Sequence, residues 1–380
     1  MKLKHLLRYP FDIRLAEQQL ASASKSAAKS ALEPSATTIG LDLYTDHLLF
    51  DGGRHLACLA ALAGKIDSPV TVRCSRVLLA AIAHKPHGGR FLAMPHVHWI
   101  EPSRPFPPHS LVLLDVDGGR ADRVLSRQRT VAMLVGREPA AKTLVMPYPM
   151  HPQQIQDSAD GRFNTLRTQM KAGIFFAGNQ NRRYGRDSMH SEFGVLSRLE
   201  ILSTLPQTFD VRIHERDADG RADRIVLRDS ASAPIPAEEW MATLASHQFF
   251  LCCPGASQPV CHNAIEAMSV GTIPIIEYAD RFHPELVDGV NAVCFRGRKG
   301  LIAAIRRIDS MPPEKRSRLS RNVCRHYDEH LDGARFLKRL RDETNTDFVD
   351  QISMPFHNRD FFSKASPPSG RVPLSHSRAA

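Results

Sequence analysis

Between residues 146 and 152 the chain reads MPYPMHP, and three prolines in seven residues cannot lie inside a helix or a central strand. The break separates two series of the same kind. Before it, short apolar runs at 38–43, 70–74, 111–116, 130–135 and 142–146 alternate with helical stretches at 54–64 and 76–84. After it, runs at 173–177, 210–214, 248–253 and 273–277 alternate with helices at 237–247 and 262–270, followed by helical sequence over 313–343. Strands separated by helices of about ten residues predict a mainly parallel sheet with crossover connections, and so two successive α/β domains. The 380 residues suit that number at roughly 150 per domain. The expected boundaries are an N-terminal extension and linker over 1–38, whose Ala/Ser-rich part from 20 reads as a linker or a frayed helix, a first domain over 39–146 and a connector over 147–170. A second domain over 171–345 and a C-terminal segment over 346–380, disordered at its end, complete the division.

With 42% hydrophobic and 24% charged residues, the chain has the composition of a folded globular protein. No apolar window approaches the roughly 18 residues of a membrane span, and no secretory core follows the basic N-terminus, so a cytoplasmic location is expected. The seven cysteines include no C-x-x-C pair, and Cys252 and Cys253 sit side by side on an apolar strand. They read as thiols packed like small apolar residues, with no metal site expected. The net charge of +10 is carried by the two ends of the chain without a run of five basic residues. RNA-binding aromatic strings are also absent, so nucleic acid is not an expected partner. The charge suits anionic ligands, an acidic acceptor or peripheral contact with an anionic membrane. The basic stretch 313–340 reads most simply as a solvated amphipathic face.

The most informative stretch is 248–295, QFFLCCPGASQPVCHNAIEAMSVGTIPIIEYADRFHPELVDGVNAVCF. A buried strand delivers the chain to Pro254, Gly255, Ala256 and Ser257, a turn of small residues at the strand's carboxyl end, where ligands of open parallel sheets bind. The following helix, which carries His262, Asn263 and Glu266, points its positive N-terminus at the same place and favours a phosphate. A carboxylate accepts hydrogen bonds from vicinal hydroxyls, so Glu266 suits a ribose. The second constellation is IFFAGNQNRRYGRD, where an apolar strand opens at Gly178 and Asn179 into a loop carrying Arg182, Arg183 and Arg186. Arginines match phosphate oxygens bidentately and neutralise a departing diphosphate in place of a metal.

The order of strand, P-G turn, helix with Glu-Ala-Met, G-T-I-P strand and E-L-V-D-G-V-N resembles the nucleotide-binding domain of GT-B glycosyltransferases. The resemblance is strong over about 50 residues and looser over 171–330. The MPYPMHP connector, the FFAGN strand and the F-x-L-C-x-P-G-x-S turn look most like the exostosin-type branch, beside the group 1 type C-terminal domain. It implies two Rossmann-like domains facing a central cleft. It also implies transfer of a sugar from a nucleotide-diphosphate sugar to a hydroxyl of a glycan or lipid-linked acceptor, as in polysaccharide biosynthesis, without a cofactor or metal. In such enzymes the helix glutamate binds the donor ribose, which maps onto Glu266. Many retaining members carry a second glutamate eight residues earlier; here that position is Gln258, which leans the reading toward inversion.

An inverting transfer needs a general base, expected from the first domain. Asp51-Gly52-Gly53-Arg54-His55 opens a helix there, and Asp51 and His55 are the named candidates. His96, His98 and Asp117 also sit at plausible strand ends. Two other readings remain: a sugar-nucleotide epimerase on the same scaffold, and a non-catalytic nucleotide-sugar-binding module.

Overall fold

A computed structural model describes residues 3–27, 37–115, 129–136, 139, 144–157, 162–213, 225–342 and 351–356. The chain divides into two compact units, Met1–Met146 with Gly333–Ala380, and Pro147–Asp332.

In the first unit the strands are β1 (Ile39–Asp42), β2 (Val70–Arg73), β3 (Val97–Ile100), β4 (Leu111–Leu114), β5 (Arg129–Leu134) and β6 (Leu144–Val145). They are short and apolar, as strands buried on both faces must be, and β1 and β4 are buried at every position. All described pairings are parallel, with β1 between β2 and β4 in the registers Ile39↔Val70 and Ile39↔Leu111. The spatial order β3-β2-β1-β4-β5 reverses direction between β1 and β4, which is where an open parallel sheet leaves a crevice. The helix Arg54–Lys65 connects β1 to β2 and is buried continuously from Arg54 to Ala63.

Three expected boundaries are corrected. The extension over 1–38 contains a helix, Leu3–Ala27, which packs on the helix Arg76–Ala83. Its buried residues Ile13, Ala16 and Ala23 recur at helical spacing, a pattern that the Ala/Ser-rich composition of 20–38 obscures. The second domain does not extend to 345. The helix Gly333–Asp342 belongs to the first unit, where Leu337 and Leu340 are buried and Arg341 donates to the Ile66 carbonyl at 2.7 Å. At Gly333 a Cβ would stand 2.9 Å from the Leu62 side-chain methyl, so the helix packs closely against Leu62 there. The helical sequence read over 313–343 is therefore two helices, Pro313–His326 and Gly333–Asp342, divided between the units. Within 346–380, residues Gln351–Ser353 form β13, inserted between β5 and β6 and parallel to both. Three residues carry no periodicity from which such a strand could be read. The end expected to be disordered, 360–380, lies outside the described residues.

The second unit contains β7 (Ala172–Gly178), β8 (Val211–Ile213), β9 (Ile225–Asp229), β10 (His247–Leu251), β11 (Ile273–Ile276) and β12 (Val293–Cys294). Again every described pairing is parallel, in the order β12-β11-β10-β7-β9-β8. Phe175, Phe176, Phe249 and Phe250, on the central pair, are buried to 2% exposure or less. The direction of the order reverses between β7 and β10. The expected interdomain connector, 147–170, is part of this unit. Its Gln154 donates to the Ala237 carbonyl at 2.7 Å, and Arg167 grips the Asp328 carboxylate through two nitrogens at 2.9 and 2.7 Å. No described helix is long and apolar enough to cross a membrane.

Ile352 in β13 is completely buried between two strands. Ile352→Ala is expected to cost about 2–5 kcal/mol in urea denaturation, the range for truncating a buried isoleucine. An exchange that leaves the transition unmoved would show that β13 is not part of the core.

Candidate functional site

In the second unit, the switch in strand order places the ends of β7 and β10 side by side, so the loop after Gly178 and the turn after Cys253 are neighbours. A residue that the sequence reading passed over joins them. Arg198 is 3% exposed and opens the helix Arg198–Thr204, whose Ser197 and Glu200 form a capping box. Its guanidinium donates twice to the Pro254 carbonyl, at 3.1 and 2.9 Å, and once to the Asn179 carbonyl, at 2.9 Å. It also stacks on the Tyr184 ring, 3.8 Å from the centroid. The S-x-x-E signature at 197–200 predicts the helix start. That the next arginine reaches carbonyls 56 residues away is set by packing alone.

Around this clamp, the residues expected to bind the donor take different positions. A Cβ on Gly255 would lie 2.8 Å from the Gln258 carbonyl oxygen, so that turn needs glycine, and one on Gly178 would lie 2.9 Å from the tip of the Phe176 ring. The Gly255 N–H donates within its own turn, to the Gln258 and Pro259 carbonyls. Ala256 and Ser257 are half-buried. Asn179 caps its own loop by accepting from the Asn181 N–H at 2.9 Å, and Asn263 is buried, accepting from the Cys261 thiol at 2.8 Å. Arg182, Arg183 and Arg186 are exposed. Arg183 donates to the Tyr184 hydroxyl at 2.9 Å, whereas Arg182 and Arg186 make no ion pair among the described residues. The loop therefore presents positive charge to solvent at the carboxyl edge of the sheet.

Glu266 departs from its expected role. Its side chain is completely buried and both carboxylate oxygens are engaged: the His151 N–H and the Trp240 indole N–H donate at 2.7 Å, and His262 Nδ1 lies 3.1 Å from each oxygen. Burial alone would raise its pKa. The His262 charge and hydrogen bond, with the His151 and Trp240 donors, outweigh this and draw it down to about 2. A carboxylate enclosed on all sides by its own chain offers no face to a ribose diol, so the ribose assignment is not met.

The first unit's crevice lies between the ends of β1 and β4. Asp115, after β4, accepts the N–H groups of Tyr44 and Thr45 at 2.7 and 2.9 Å and so pins the loop that follows β1. Burial lifts its pKa to about 6, although these N–H groups pull the other way. Farther along the same loop, Asp51, Gly52 and Gly53 form a left-handed run with φ of 51, 68 and 78°. Asp51 is half-exposed and binds Arg54 at 2.6 Å. His55 is 1% exposed, its ring 3.9 Å from that of Phe356, and desolvation followed by the charges of Arg54 and His87 holds its pKa well below 6.5. A neutral, enclosed imidazole cannot reach an acceptor hydroxyl, so His55 is corrected from base to core residue. His96 likewise has a structural role, its Nε2 lying 2.8 Å from the Ala60 carbonyl. Asp117 lies outside the described residues. Among those residues no cluster of three or more His, Cys, Asp and Glu is placed to hold a metal ion, and Cys252 and Cys253 are fully buried free thiols.

No family model matches the chain, and no curated protein matches it. Solved structures align with it at a distance. A glycosyltransferase from Rickettsia africae ESF-5 matches over 81% of this chain and 98% of its own, at 7% identity and a TM-score of 0.47. The N-terminal domain of trehalose-6-phosphate phosphatase from Candida albicans matches over 81% and 97%, at 9% identity and 0.41. WaaG, a glycosyltransferase involved in lipopolysaccharide biosynthesis, matches over 80% and 99%, at 12% identity and 0.35. At TM-scores below 0.5 these likenesses carry no activity to the chain.

Two outcomes follow from the clamp and the buried carboxylate. Arg198→Met leaves buried carbonyls without donors and is expected to destabilise the protein by about 3 kcal/mol in urea denaturation, with Arg198→Lys failing to restore it. Glu266 has a folded pKa below its unfolded value near 4.5, so its stabilisation is complete above that value and is lost as pH falls toward 2. Glu266→Gln should therefore be less stable at pH 7 and show a flatter acid limb in thermal unfolding measured from pH 5 to 2.

Proposed function

We propose that the chain is a glycosyltransferase that takes its sugar from a nucleotide-diphosphate donor held at the carboxyl edge of the second unit's sheet. The observation that carries this reading is the adjacency of two loops at the β7/β10 switch. One is basic, with Arg182 and Arg186 exposed and without ion pairs among the described residues, and the other is the small-residue turn Pro254 to Ser257. This is where an open parallel sheet receives a ligand, and its charge suits a pyrophosphate. Transfer separates charge at the anomeric carbon, and the departing diphosphate is the group that most needs compensation. We assign that task to the arginine loop, so that no metal is required, and favour inversion from the Gln258 position.

The acceptor is a hydroxyl of a glycan or lipid-linked sugar, assigned to the first unit. There, Asp51 is the expected base that retains solvent access, at 54% side-chain exposure. The chain's basic ends are compatible with work at an anionic membrane surface.

A thermal-shift screen against UDP-, GDP-, ADP- and CMP-linked sugars tests the donor. Ligand at 100 times its dissociation constant adds about 2.7 kcal/mol of stability. Exchanging Arg182, Arg183 and Arg186 together for glutamine should abolish the shift while the unliganded melting temperature stays put, because all three are exposed. Stabilisation that persists in the triple variant would place the anion elsewhere. No response to any donor would overturn the reading.

A further inference from the structure

The helix Leu3–Ala27 docks on the first unit through one face, with Ile13, Ala16 and Ala23 buried on the side that lies against the rest of the unit. The opposite side is open. Phe11, which at 3.6 residues per turn stands about opposite Ile13 and Ala16, is 72% exposed, and Leu15, one turn further, is 39% exposed. A scattered surface leucine is ordinary, but a nearly bare phenylalanine on the outward line of a helix with a leucine beside it is apolar area that awaits a cover. Gln18 and Ser22 continue the same line as exposed polar residues, so the apolar part is confined to the first half of the helix.

Charge on this face has one sign. Arg8 and Arg14, three positions before and after Phe11, flank it on either side and are exposed. Arg14 has no ion pair among the described residues. The two carboxylates of the stretch are spent elsewhere: Asp12 is buried, 3.6 Å from Arg8 and 3.7 Å from His84, and Glu17 pairs with Arg76 on the neighbouring helix. The residues before Arg8 add Lys2 and Lys4 and no acid. We propose that this face is a membrane-docking surface, with Phe11 and Leu15 entering the headgroup region of an anionic bilayer while Arg8 and Arg14 meet its phosphates. A helix of this kind lies in the plane of the interface, and its binding adds buried apolar area to attraction for anionic lipid. A second copy of the chain is a poorer cover, because a two-fold contact through Phe11 would set the flanking arginines of the two helices against one another with no carboxylate between them. The proposal gives one surface to the membrane contact that the charge of the chain's ends allows, and it does not use the donor site.

Sedimentation of the full chain with vesicles of phosphatidylcholine, alone or with about a third phosphatidylglycerol, tests it. The wild type should bind the anionic vesicles and not the neutral ones, and binding should fall as salt rises. Phe11→Ser should weaken binding about 10-fold through lost apolar burial, and Arg14→Glu, which reverses a charge, about 10- to 30-fold. Both positions are exposed, so thermal unfolding should stay where it is. In Phe11→Trp, brominated lipid should quench fluorescence beyond any quenching of Trp99 and Trp240 in the wild type, a contact that a basic surface elsewhere on the chain would not produce. Failure of the wild type to bind anionic vesicles, or equal binding by Phe11→Ser and Arg14→Glu, would overturn the proposal. So would a wild-type dimer in light scattering that Phe11→Ser turns into a monomer, since the face would then be a contact between copies. The donor screen involves none of these residues, so each of these results leaves the glycosyltransferase reading to its own test.

Discussion

The parallel pairing of β7 with β10, Phe249 opposite Ile174 and Phe250 opposite Phe175, is the contact on which the proposed chemistry depends. Two strands separated by some 70 residues of chain become neighbours, and everything at their carboxyl ends becomes one locality. The pairing is driven by burial: each strand is apolar on both faces, and a sheet covered by helices satisfies its backbone only through such ladders. Arg198 then ties the two strand ends together with donors that the loops' own carbonyls require. Without the pairing, the arginine loop and the small-residue turn would be unrelated surface features.

The two units solve the same problem with opposite charges. In the second, a buried cation, Arg198, binds carbonyls from both loops at the switch point. In the first, a buried anion, Asp115, binds N–H groups of the loop after β1 from its place after β4. Each device leaves a loop edge ordered but open, which is what a ligand site built on loops needs from a rigid scaffold. The cost is electrostatic: burial lifts the Asp115 carboxyl to a pKa of about 6, and its backbone donors recover only part of that.

Glu266 shows how a motif can be read correctly as a landmark and wrongly as a contact. Its position one turn into the helix after the P-G turn is legible, as is its neighbour His262. Its burial is not, because two of the groups that enclose it, Trp240 and His151, come from separate parts of the chain. The same applies to His55. Two glycines and a helix start mark the loop, but the aromatic ring that closes over the imidazole, Phe356, lies 301 positions away by sequence number. Local spacing carries no information about such a partner.

From the sequence alone came the two parallel α/β series, the proline-marked boundary, nearly every central strand and the loops at β7 and β10, because apolar period and turn chemistry are local properties. The tertiary structure decided what long-range packing decides. The chain returns after Asp332 to complete the first sheet with β13, the 147–170 segment docks as part of the second unit, and the N-terminal residues form a packed helix. It also decided which polar groups are sealed and which face water. Apart from His262, one turn before Glu266 on the same helix, the hydrogen-bond partners of Glu266 and Arg198 and the backbone donors to Asp115 come from other segments, and only the folded chain brings them within about 3 Å.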